Sequence, residues 1–313
     1  MAEIRPYRPE DAEEAAALVG SGFPQPHGLG PSTLRHWFES APERARTRAW
    51  VAVDGDELVG WSDGALRWSI AEEGVAETWA VVRADRRGRG LGTQLMDLAE
   101  EHVTSHGARE LDTYALESEP ESIAFAEARG YRENRCEYSW VLYLDQVELD
   151  PPELPEGFRV ARLDELRSRE RELFELYDAA HRDMPSDHSL VLEFEEWRRE
   201  TLENPQLDLE ASSVVLDGDR LVSFSWINAE RELGAGSHEL TGTHADYRGR
   251  GLARAAKVAT TRWAAESGLR YLVTSNDSTN SPMLAVNERL GYQPRTTIVE
   301  LVRRLDRGQS GPH

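Results

Sequence analysis

Two spacings of hydrophobic positions recur along the chain, and together they predict alternating helices and strands. Helical periodicity is typical of residues 91–106 and 252–267, each an amphipathic stretch that follows a glycine-rich turn. Strand patterns occur at residues 110–114, 271–274 and 138–142, and other strand pairs turn at Asp-Gly-Asp. Because helices and strands are intermixed, the sequence predicts an α/β fold with a mixed α+β sheet.

The elements occur twice in the same order because the sequence repeats itself. The segment RGRGLG at residues 87–92 recurs as RGRGLA at residues 248–253, at an offset of 248 − 87 = 161. The pair Gly130-Tyr131 recurs as Gly291-Tyr292 at the same offset, and an earlier hairpin recurs at an offset of 163. Two separated motifs that share one offset predict two domains of one fold.

A proline-rich segment separates the two repeats. Residues 150–157, DPPELPEG, contain three prolines, which cannot take part in regular strand pairing, and they predict a linker. We therefore expect an N-terminal domain at residues 1–149 and a C-terminal domain at residues 158–313. A length of 313 residues agrees with two domains of common size.

Composition narrows the class of protein. The net charge of −21 disfavours nucleic-acid binding, because phosphates need basic partners. No apolar run approaches the ~20 residues needed to cross a bilayer, and an acidic stretch follows the amino terminus closely. We therefore expect a cytoplasmic protein that does not bind a membrane. Cys136 is the only cysteine, which excludes an intrachain disulfide and a cysteine-based zinc site. No metal is expected, and we expect Cys136 to lie in a late strand rather than act as a nucleophile.

The arginine–glycine segments are candidates for anion binding. Glycines between a strand and a helix allow the backbone to approach a ligand closely, and the helix beyond presents unpaired N–H groups to a phosphate. A solvated tight turn is the alternative, and two occurrences in the same context favour anion binding over it. A dinucleotide-binding loop is disfavoured because the Gly-x-Gly-x-x-Gly spacing is missing.

The combined motifs resemble those of the GNAT superfamily of acyl-CoA N-acyltransferases. The pattern Arg-x-x-Gly-x-Gly/Ala is similar to its pyrophosphate-binding signature, and Asn280, Met283 and Gly291-Tyr292 are similar to its second signature. The resemblance covers nearly the whole chain. It implies two tandem domains, each a mostly antiparallel mixed sheet flanked by helices, and it implies acetyl-CoA as cosubstrate.

The same resemblance implies which residues hold the cosubstrate. In the second repeat they are Thr241, Thr243, Arg248, Gly249, Arg250, Gly251, Leu252, Ala253, Asn280 and Asn287. In the first repeat they are Arg87, Gly88, Arg89, Gly90 and Gly92.

The second repeat carries the candidate catalytic residues. Strand alternation places Ser237, Glu239, Thr241 and Thr243 on one face and His238 on the other. Glu239 is the candidate general base, and a solvated strand carboxylate is the alternative. Asn287 stands where many family members have a tyrosine that protonates the leaving thiolate, and an amide cannot deliver a proton. His238 and His244 are weaker candidates, expected at the surface and in a loop.

The first repeat departs further from the family pattern. Glu119 and Ala126 stand where the second repeat has Asn280 and Asn287, and an offset of 161 aligns Thr78 with Glu239. The first repeat is therefore expected to be structural, or to bind CoA with little turnover. This asymmetry is similar to that of tandem acyltransferases such as the mycothiol synthases, which implies activity in the second repeat.

The expected acceptor is a primary amine of a small molecule. Asp183 and Asp187, in a polar segment between two helical stretches, are candidates for binding it, and Trp226 and Asn228 are candidates for lining the cleft. Surface acids and a core tryptophan are the alternative. A protein or peptide amino terminus is a second possible acceptor, and a non-catalytic acyl-CoA-binding protein or sensor is the rival class. We expect a monomer or a homodimer.

Overall fold

The computed structural model describes residues 2–26 and 28–305, and these form two compact units. Unit 1 contains the described residues up to Glu137 and those from Thr296 onward, and unit 2 runs from Tyr138 to Arg295. The units therefore divide the chain at points other than the predicted linker at residues 150–157.

Both repeats contain strands and helices in a closely similar order. The first repeat forms β1 (Glu3–Pro6), α1 (Ala12–Ser21), α2 (Pro31–Ser40), β2 (Arg48–Asp54), β3 (Glu57–Leu66), β4 (Val75–Val82), α3 (Leu91–Ser105), β5 (Glu110–Leu116), α4 (Pro120–Ala128) and β6 (Arg132–Tyr143). The second repeat forms β7 (Phe158–Arg162), α5 (Glu170–Arg182), α6 (Phe194–Trp197), β8 (Ser213–Asp217), β9 (Arg220–Glu230), β10 (Ala235–Thr243), α7 (Leu252–Glu266), β11 (Tyr271–Asp277), α8 (Ser281–Arg289) and β12 (Gln293–Arg304).

The strands of each unit form a mostly antiparallel mixed sheet. In unit 1 the order is β1-β2-β3-β4-β5, with antiparallel pairs up to β4 and a parallel pair between β4 and β5. In unit 2 the order is β7-β8-β9-β10-β11, again with only the last pair parallel. These features confirm the predicted fold class.

The closing strand of each repeat takes part in the core of the other unit. Residues Ile298–Arg304 of β12 pair with β5 in unit 1, where Val299 and Leu301 are buried in the core. The part of β6 from Tyr138 onward belongs to unit 2, where Trp140 and Leu142 are buried in the core. The two repeats therefore exchange their last strands.

Helices cover both faces of each sheet. In unit 2, Leu176 and Tyr177 of α5 pack with Phe224 on one face of β9, while Leu252 of α7 packs with Val222, an extra residue at a register shift with β8 that lets it face the other side. Within residues 2–26 and 28–305, every helix is too short or too polar to cross a membrane.

Candidate functional site

The arginine–glycine segment forms the turn between a strand and a helix in each unit. In unit 2 it joins β10 to α7, and Gly249 and Gly251 have φ angles of 75° and 76°. Apart from each glycine and its two chain neighbours, no described residue has an atom within 4 Å of a Cβ built on either glycine, so the backbone is open to a ligand. Because the first N–H groups of a helix have no partner within it, this turn presents donors and a positive dipole. Leu252 and Ala253 form the first turn of α7, as Leu91 and Gly92 form that of α3 in unit 1.

The first arginine of each turn is paired with a carboxylate. The guanidinium of Arg248 forms an ion pair with Asp183, and that of Arg87 donates to Glu119 Oε2 at 3.2 Å. The guanidinium of Arg250 lies near an aromatic ring, 5.1 Å from the centre of that of Tyr247. An anionic ligand at either turn would therefore lie near arginine side chains. It would compete with a carboxylate of the protein for the first arginine of the turn.

In unit 2, β10 separates from β11 before the chain reaches the turn, which leaves one edge of β10 unpaired. β10 and β11 pair only from Ala235 with Tyr271 to Ser237 with Val273, whereas β10 continues to Thr243. The opposite edge of β10 remains paired with β9 as far as Thr243. In the described part of the chain, the edge of β10 that faces the gap between the two strands therefore keeps backbone groups available for an extended ligand.

A β-bulge changes the predicted arrangement of side chains on β10. The register with β9 shifts between His238 and Leu240, so Glu239 is an extra residue in the strand. His238 and Thr241 both approach the hydroxyl of Ser225, at 3.4 and 2.9 Å, and therefore share a face. The prediction that Glu239 shares its face with Thr241 and Thr243 is wrong, because a bulge interrupts strict alternation and redirects the side chain.

The bulge turns Glu239 toward α5 and β9, where two donors hold its carboxylate. The hydroxyl of Tyr177 donates to Glu239 Oε1 at 3.0 Å, and Asn228 Nδ2 donates to Oε2 at 2.8 Å. Burial raises the pKa of Glu239 above its usual value, and the two hydrogen bonds oppose that rise. The result is a fixed carboxylate with an increased affinity for a proton.

The strand register also corrects the comparison between the repeats. Thr78 pairs with Gly64 in unit 1, and His238 pairs with Ile227 in unit 2. The two partners, Gly64 and Ile227, are 163 residues apart, which is the offset between the hairpins of the two repeats. The hydroxyl of Thr78 lies 3.0 Å from that of Tyr131, just as His238 Nε2 lies 2.7 Å from the hydroxyl of the matching tyrosine. Thr78 therefore corresponds to His238 rather than to Glu239, for which unit 1 has no counterpart.

Asn287 lies in a buried polar network with the only lysine of the chain. Lys257 Nζ donates to Asn287 Oδ1 at 2.6 Å, and Asn287 Nδ2 donates to Asn276 Oδ1 at 2.6 Å. The ammonium lies 4.9 Å from the centre of the Tyr292 ring. Burial lowers the pKa of Lys257 to about 7, and burial together with this lysine keeps the pKa of His238 well below its usual value. His238, expected at the surface, is thus a neutral member of an interior network.

Asn280 begins the helix that carries Asn287. Its side-chain oxygen accepts from Met283 N at 3.4 Å, so it is the N-cap of α8. Glu119, its counterpart in unit 1, makes no such cap and binds Arg87 instead.

Unit 1 contains a cavity of about 620 Å³ at the corresponding place. Its lining includes Arg87, Gly88 and Gly90 of the glycine turn, together with Trp79, Tyr114 and other residues of β4, β5 and α4. Cavities of this size hold small ligands and cofactors. The repeat that was expected to be degenerate therefore keeps an open cleft at its glycine turn.

Unit 1 places a different set of carboxylates where its strands separate. Glu77 and Asp112 are partners in the last parallel pair of β4 and β5, and Arg67 donates to Asp112 Oδ2 at 3.0 Å. Burial raises the pKa of Asp112 to about 6, opposed by the nearby guanidinium. The two units thus differ in the acid–base groups at their strand gaps.

The residues predicted for the acceptor have different environments. Trp226 is fully buried between Tyr177 and Phe224, so the prediction that it lines the cleft is wrong. Asn228 lies beside Glu239, as described, and its Oδ1 is buried without a hydrogen-bond partner in the described part of the chain. Asp183 is paired with Arg248, and Asp187 is exposed between α5 and α6. His244 lies in a loop as expected, where its Nδ1 accepts from Asp246 N, and Cys136 lies in β6.

Three residues of the site, Tyr177, Lys257 and Asn276, were not predicted. Tyr177 comes from a helix 62 residues before Glu239, and nothing local marks the pairing. Lys257 carried a signal, since it is the single lysine of the chain and falls within an otherwise apolar stretch of a predicted helix.

The comparisons with known proteins agree with this architecture. A family model described as "Acetyltransferase (GNAT) family" matches residues 13–131 and 170–292. Mycothiol acetyltransferase from Nocardioides sp. is 24% identical over 294 residues, 90% of this chain and 94% of that protein. The protein of the same name from Catenulispora acidiphila is 26% identical over 311 residues, 93% of this chain and 96% of that protein.

Two solved structures share the fold over nearly the whole chain. A GCN5-related N-acetyltransferase from Sphaerobacter thermophilus aligns with a TM-score of 0.73 at 22% identity, covering 97% of this chain and 95% of that one. A tandem GNAT protein from the clavulanic acid biosynthesis pathway aligns with a TM-score of 0.76 at 20% identity, covering 100% of both chains.

Proposed function

Because the chain belongs to the acetyltransferase (GNAT) family, we propose that it transfers the acetyl group of acetyl-CoA to a primary amine of a small molecule, and that unit 2 carries out the reaction. The observation that carries this proposal is the bulged Glu239, which lies in the part of β10 beyond its pairing with β11 and whose carboxylate is fixed by Tyr177 and Asn228. Unit 1 has no residue at the same place in its register.

The turn and the gap of unit 2 support binding of acetyl-CoA. The N–H groups at Arg250 to Ala253 would hold the pyrophosphate, because the helix terminus supplies donors and a favourable dipole. The unpaired edge of β10 from Thr241 to Thr243 would pair with the pantetheine arm and polarise the thioester carbonyl. Asn280 is already engaged as an N-cap, so its part in binding CoA is the least supported of these assignments.

Glu239 is the general base in this mechanism. The amine nitrogen attacks the thioester carbon, the C–S bond breaks, and the thiolate leaves with the electron pair. The proton lost by the amine goes to the Glu239 carboxylate, directly or through one water. A carboxylate with a raised pKa accepts that proton more readily than an ordinary one.

The surroundings of Glu239 support an amine as the acceptor. Asn228 Oδ1 is a buried acceptor without a partner in the described structure, and an amine brings N–H donors to such a group. The two relatives named mycothiol acetyltransferase favour a small molecule over a protein amino terminus. Asp183 and Asp187 are further candidates, although Asp183 would first have to leave Arg248.

Replacement of Glu239 by glutamine tests the proposal. We expect Glu239→Gln to lower kcat by about 10²–10⁴-fold with any accepted amine, since a general base contributes that much. The affinity for acetyl-CoA, measured by calorimetry, should stay within about twofold because the turn and the gap are untouched.

Glu77→Gln is the matched control, because Glu77 ends the parallel pairing in unit 1. It should leave turnover unchanged. Loss of turnover in Glu77→Gln but not in Glu239→Gln would place the reaction in unit 1. Acetyl-CoA binding without turnover of any amine would favour a non-catalytic acyl-CoA-binding protein.

A further inference from the structure

Acyl transfer from CoA needs a second proton transfer, which Glu239 does not provide. The leaving group is an alkyl thiolate, and an unprotonated thiolate can add back to the carbonyl carbon of the new amide while the amide nitrogen still carries the extra proton. An acid beside the sulfur prevents this return by converting the thiolate to a thiol. The position at which the family resemblance implies a tyrosine holds Asn287, whose amide has no proton to give.

Lys257 is the cationic group next to that position. Its Nζ donates to Asn287 Oδ1 at 2.6 Å, and its side chain is almost completely buried. His238, the first residue of β10 beyond the parallel pairing, belongs to the same cluster, and Asn287 is bonded to Asn276 of β11. The ammonium therefore lies among residues of both strands, at the point where they separate.

The choice of lysine here is unusual for this chain. Lys257 is the only lysine among 36 basic residues counted as lysine and arginine. Arginine stays charged in proteins, whereas a buried lysine changes its pKa readily and can give up a proton. If this position needed only a positive charge, arginine, which supplies every other lysine-or-arginine position of the chain, would be sufficient.

Packing alone does not require the pair. Met96 stands at the position of Lys257 in unit 1, and Ala126 stands at that of Asn287, both at an offset of 161. Met96 and Ala126 are buried and line the wall of the unit 1 cavity. The fold therefore accepts an apolar pair at these positions, and unit 2 has a polar pair in its place.

Three groups face Lys257, and burial among them outweighs the stabilisation that an accepted hydrogen bond and an aromatic ring give to its ammonium. They are His238 from β10, Asn287 from α8 and the Tyr292 ring that precedes β12. Burial dominates and lowers the pKa of Lys257 to about 7, so both protonation states are populated near neutral pH.

We propose that Lys257 is the proton donor to the leaving thiolate of CoA and that Asn287 positions it. The inference rests on the proposed function of unit 2. As the C–S bond breaks, the sulfur takes a proton from the ammonium and becomes the thiol, and Lys257 becomes a neutral amine. Lys257 is then reprotonated by solvent, while Glu239 loses to solvent the proton it received from the acceptor, so the charges balance over one turnover.

The single lysine allows a direct test in the whole protein. Lysine labelled with ¹³C at Cε gives one side-chain signal, whose chemical shift reports the protonation of Nζ. We expect a titration midpoint near 7 and a shift of the signal when CoA is added. A midpoint near the ordinary lysine value of about 10.4, or a signal unaffected by saturating CoA, would overturn the proposal.

Two variants separate proton donation from charge and packing. Lys257→Met introduces the residue that unit 1 has at this position, and we expect kcat to fall by about 10²-fold with little change in the KM for acetyl-CoA. The loss of kcat at high pH, which marks the acid in the wild type, should disappear. Lys257→Arg keeps the charge without a transferable proton and should be impaired similarly.

Full activity of Lys257→Arg would show a purely electrostatic role and overturn the assignment, as would an unchanged pH profile in Lys257→Met. The proposed function has its own readout in Glu239→Gln. If Glu239→Gln is inactive while both lysine variants behave as wild type, only the proton donor is wrong. If Glu239→Gln is fully active, the site in unit 2 is wrong as well.

Discussion

At the scale of single residues, the environment of Glu239 decides its chemistry. Burial favours the protonated acid, and the hydrogen bonds from Tyr177 and Asn228 favour the carboxylate. A general base has to be deprotonated before the reaction, so turnover should rise with pH as Glu239 loses its proton. The pH at which turnover rises then reports the pKa of Glu239, which depends on burial and on the two hydrogen-bond donors.

Tyr177→Phe shifts this balance in a known direction. The change removes a donor that stabilises the carboxylate, so the pKa of Glu239 rises further. We expect the acidic limb of the kcat profile to move to higher pH by about one unit, as the loss of a hydrogen bond to a charged group implies. Steady-state rates between pH 5 and 9 measure the shift.

Tyr131→Phe is the control for this prediction, because Tyr131 bonds to Thr78 and Glu100 in unit 1. Its pH profile should match that of the wild type. A limb that stays in place in Tyr177→Phe would mean that Glu239 is not the group that titrates.

The candidate base could be proposed from sequence, whereas its hydrogen-bond partner Tyr177 and the proposed proton donor Lys257 could not. Glu239 is identifiable because it lies in a polar strand just before the glycine turn. Tyr177 is 62 residues away, and its contact exists only once α5 packs on the sheet. Trp226 shows the opposite error, since a residue beside polar neighbours in a strand proved to be core.

At the scale of elements, hydrophobic periodicity gave accurate helices. The helix predicted at residues 91–106 is α3, Leu91–Ser105, and that predicted at residues 252–267 is α7, Leu252–Glu266. The bulge in β10 escaped prediction because periodicity assumes an uninterrupted strand. In the structure the bulge adds one residue, since β10 has nine residues and β4 has eight.

The N-cap of α8 should contribute to the stability of the fold, and this contribution can be measured. Asn280→Ala removes the side-chain acceptor for Met283 N, and a lost N-cap costs about 1 kcal/mol in the free energy of unfolding. Chemical denaturation should detect this loss. Glu119→Ala at the same place in unit 1 removes a half-exposed ion pair with Arg87 and a hydrogen bond from the Ser122 hydroxyl but no cap of the helix, so its effect should be smaller.

Calorimetry with acetyl-CoA on the same two variants separates capping from ligand binding. If Asn280 only caps the helix, Asn280→Ala should bind acetyl-CoA with the affinity of the wild type. An unchanged free energy of unfolding together with weaker binding would contradict the capping role and favour direct contact with the CoA arm.

At the scale of the whole molecule, the duplication was visible in the sequence and the exchange of closing strands was not. Two motifs at one offset establish the repeat, but a strand pattern carries no information about which sheet the strand joins. β6 and β12 each continue past the point where the compact units change, at Glu137 and at Arg295. Packing of Val299 and Leu301 with β5 settles the pairing in unit 1.

Each unit keeps a glycine turn with an open backbone, so we expect the whole protein to bind two equivalents of acetyl-CoA. The turn of unit 1 lines a cavity of about 620 Å³, and that of unit 2 follows the part of β10 that contains Glu239 and no longer pairs with β11. Charge reversal next to a bound pyrophosphate loses a charge-assisted hydrogen bond and adds repulsion, so it should weaken one site by at least about tenfold.

Isothermal titration of Arg87→Glu and Arg250→Glu assigns the two sites. Each variant should retain one equivalent, and only Arg250→Glu should lose turnover, because the proposed base and the proposed proton donor are both in unit 2. A single wild-type equivalent that Arg87→Glu abolishes would leave unit 2 without cosubstrate and place the chemistry in unit 1. A single equivalent that Arg250→Glu abolishes would instead make the unit 1 cavity a relic of the duplication, despite its size.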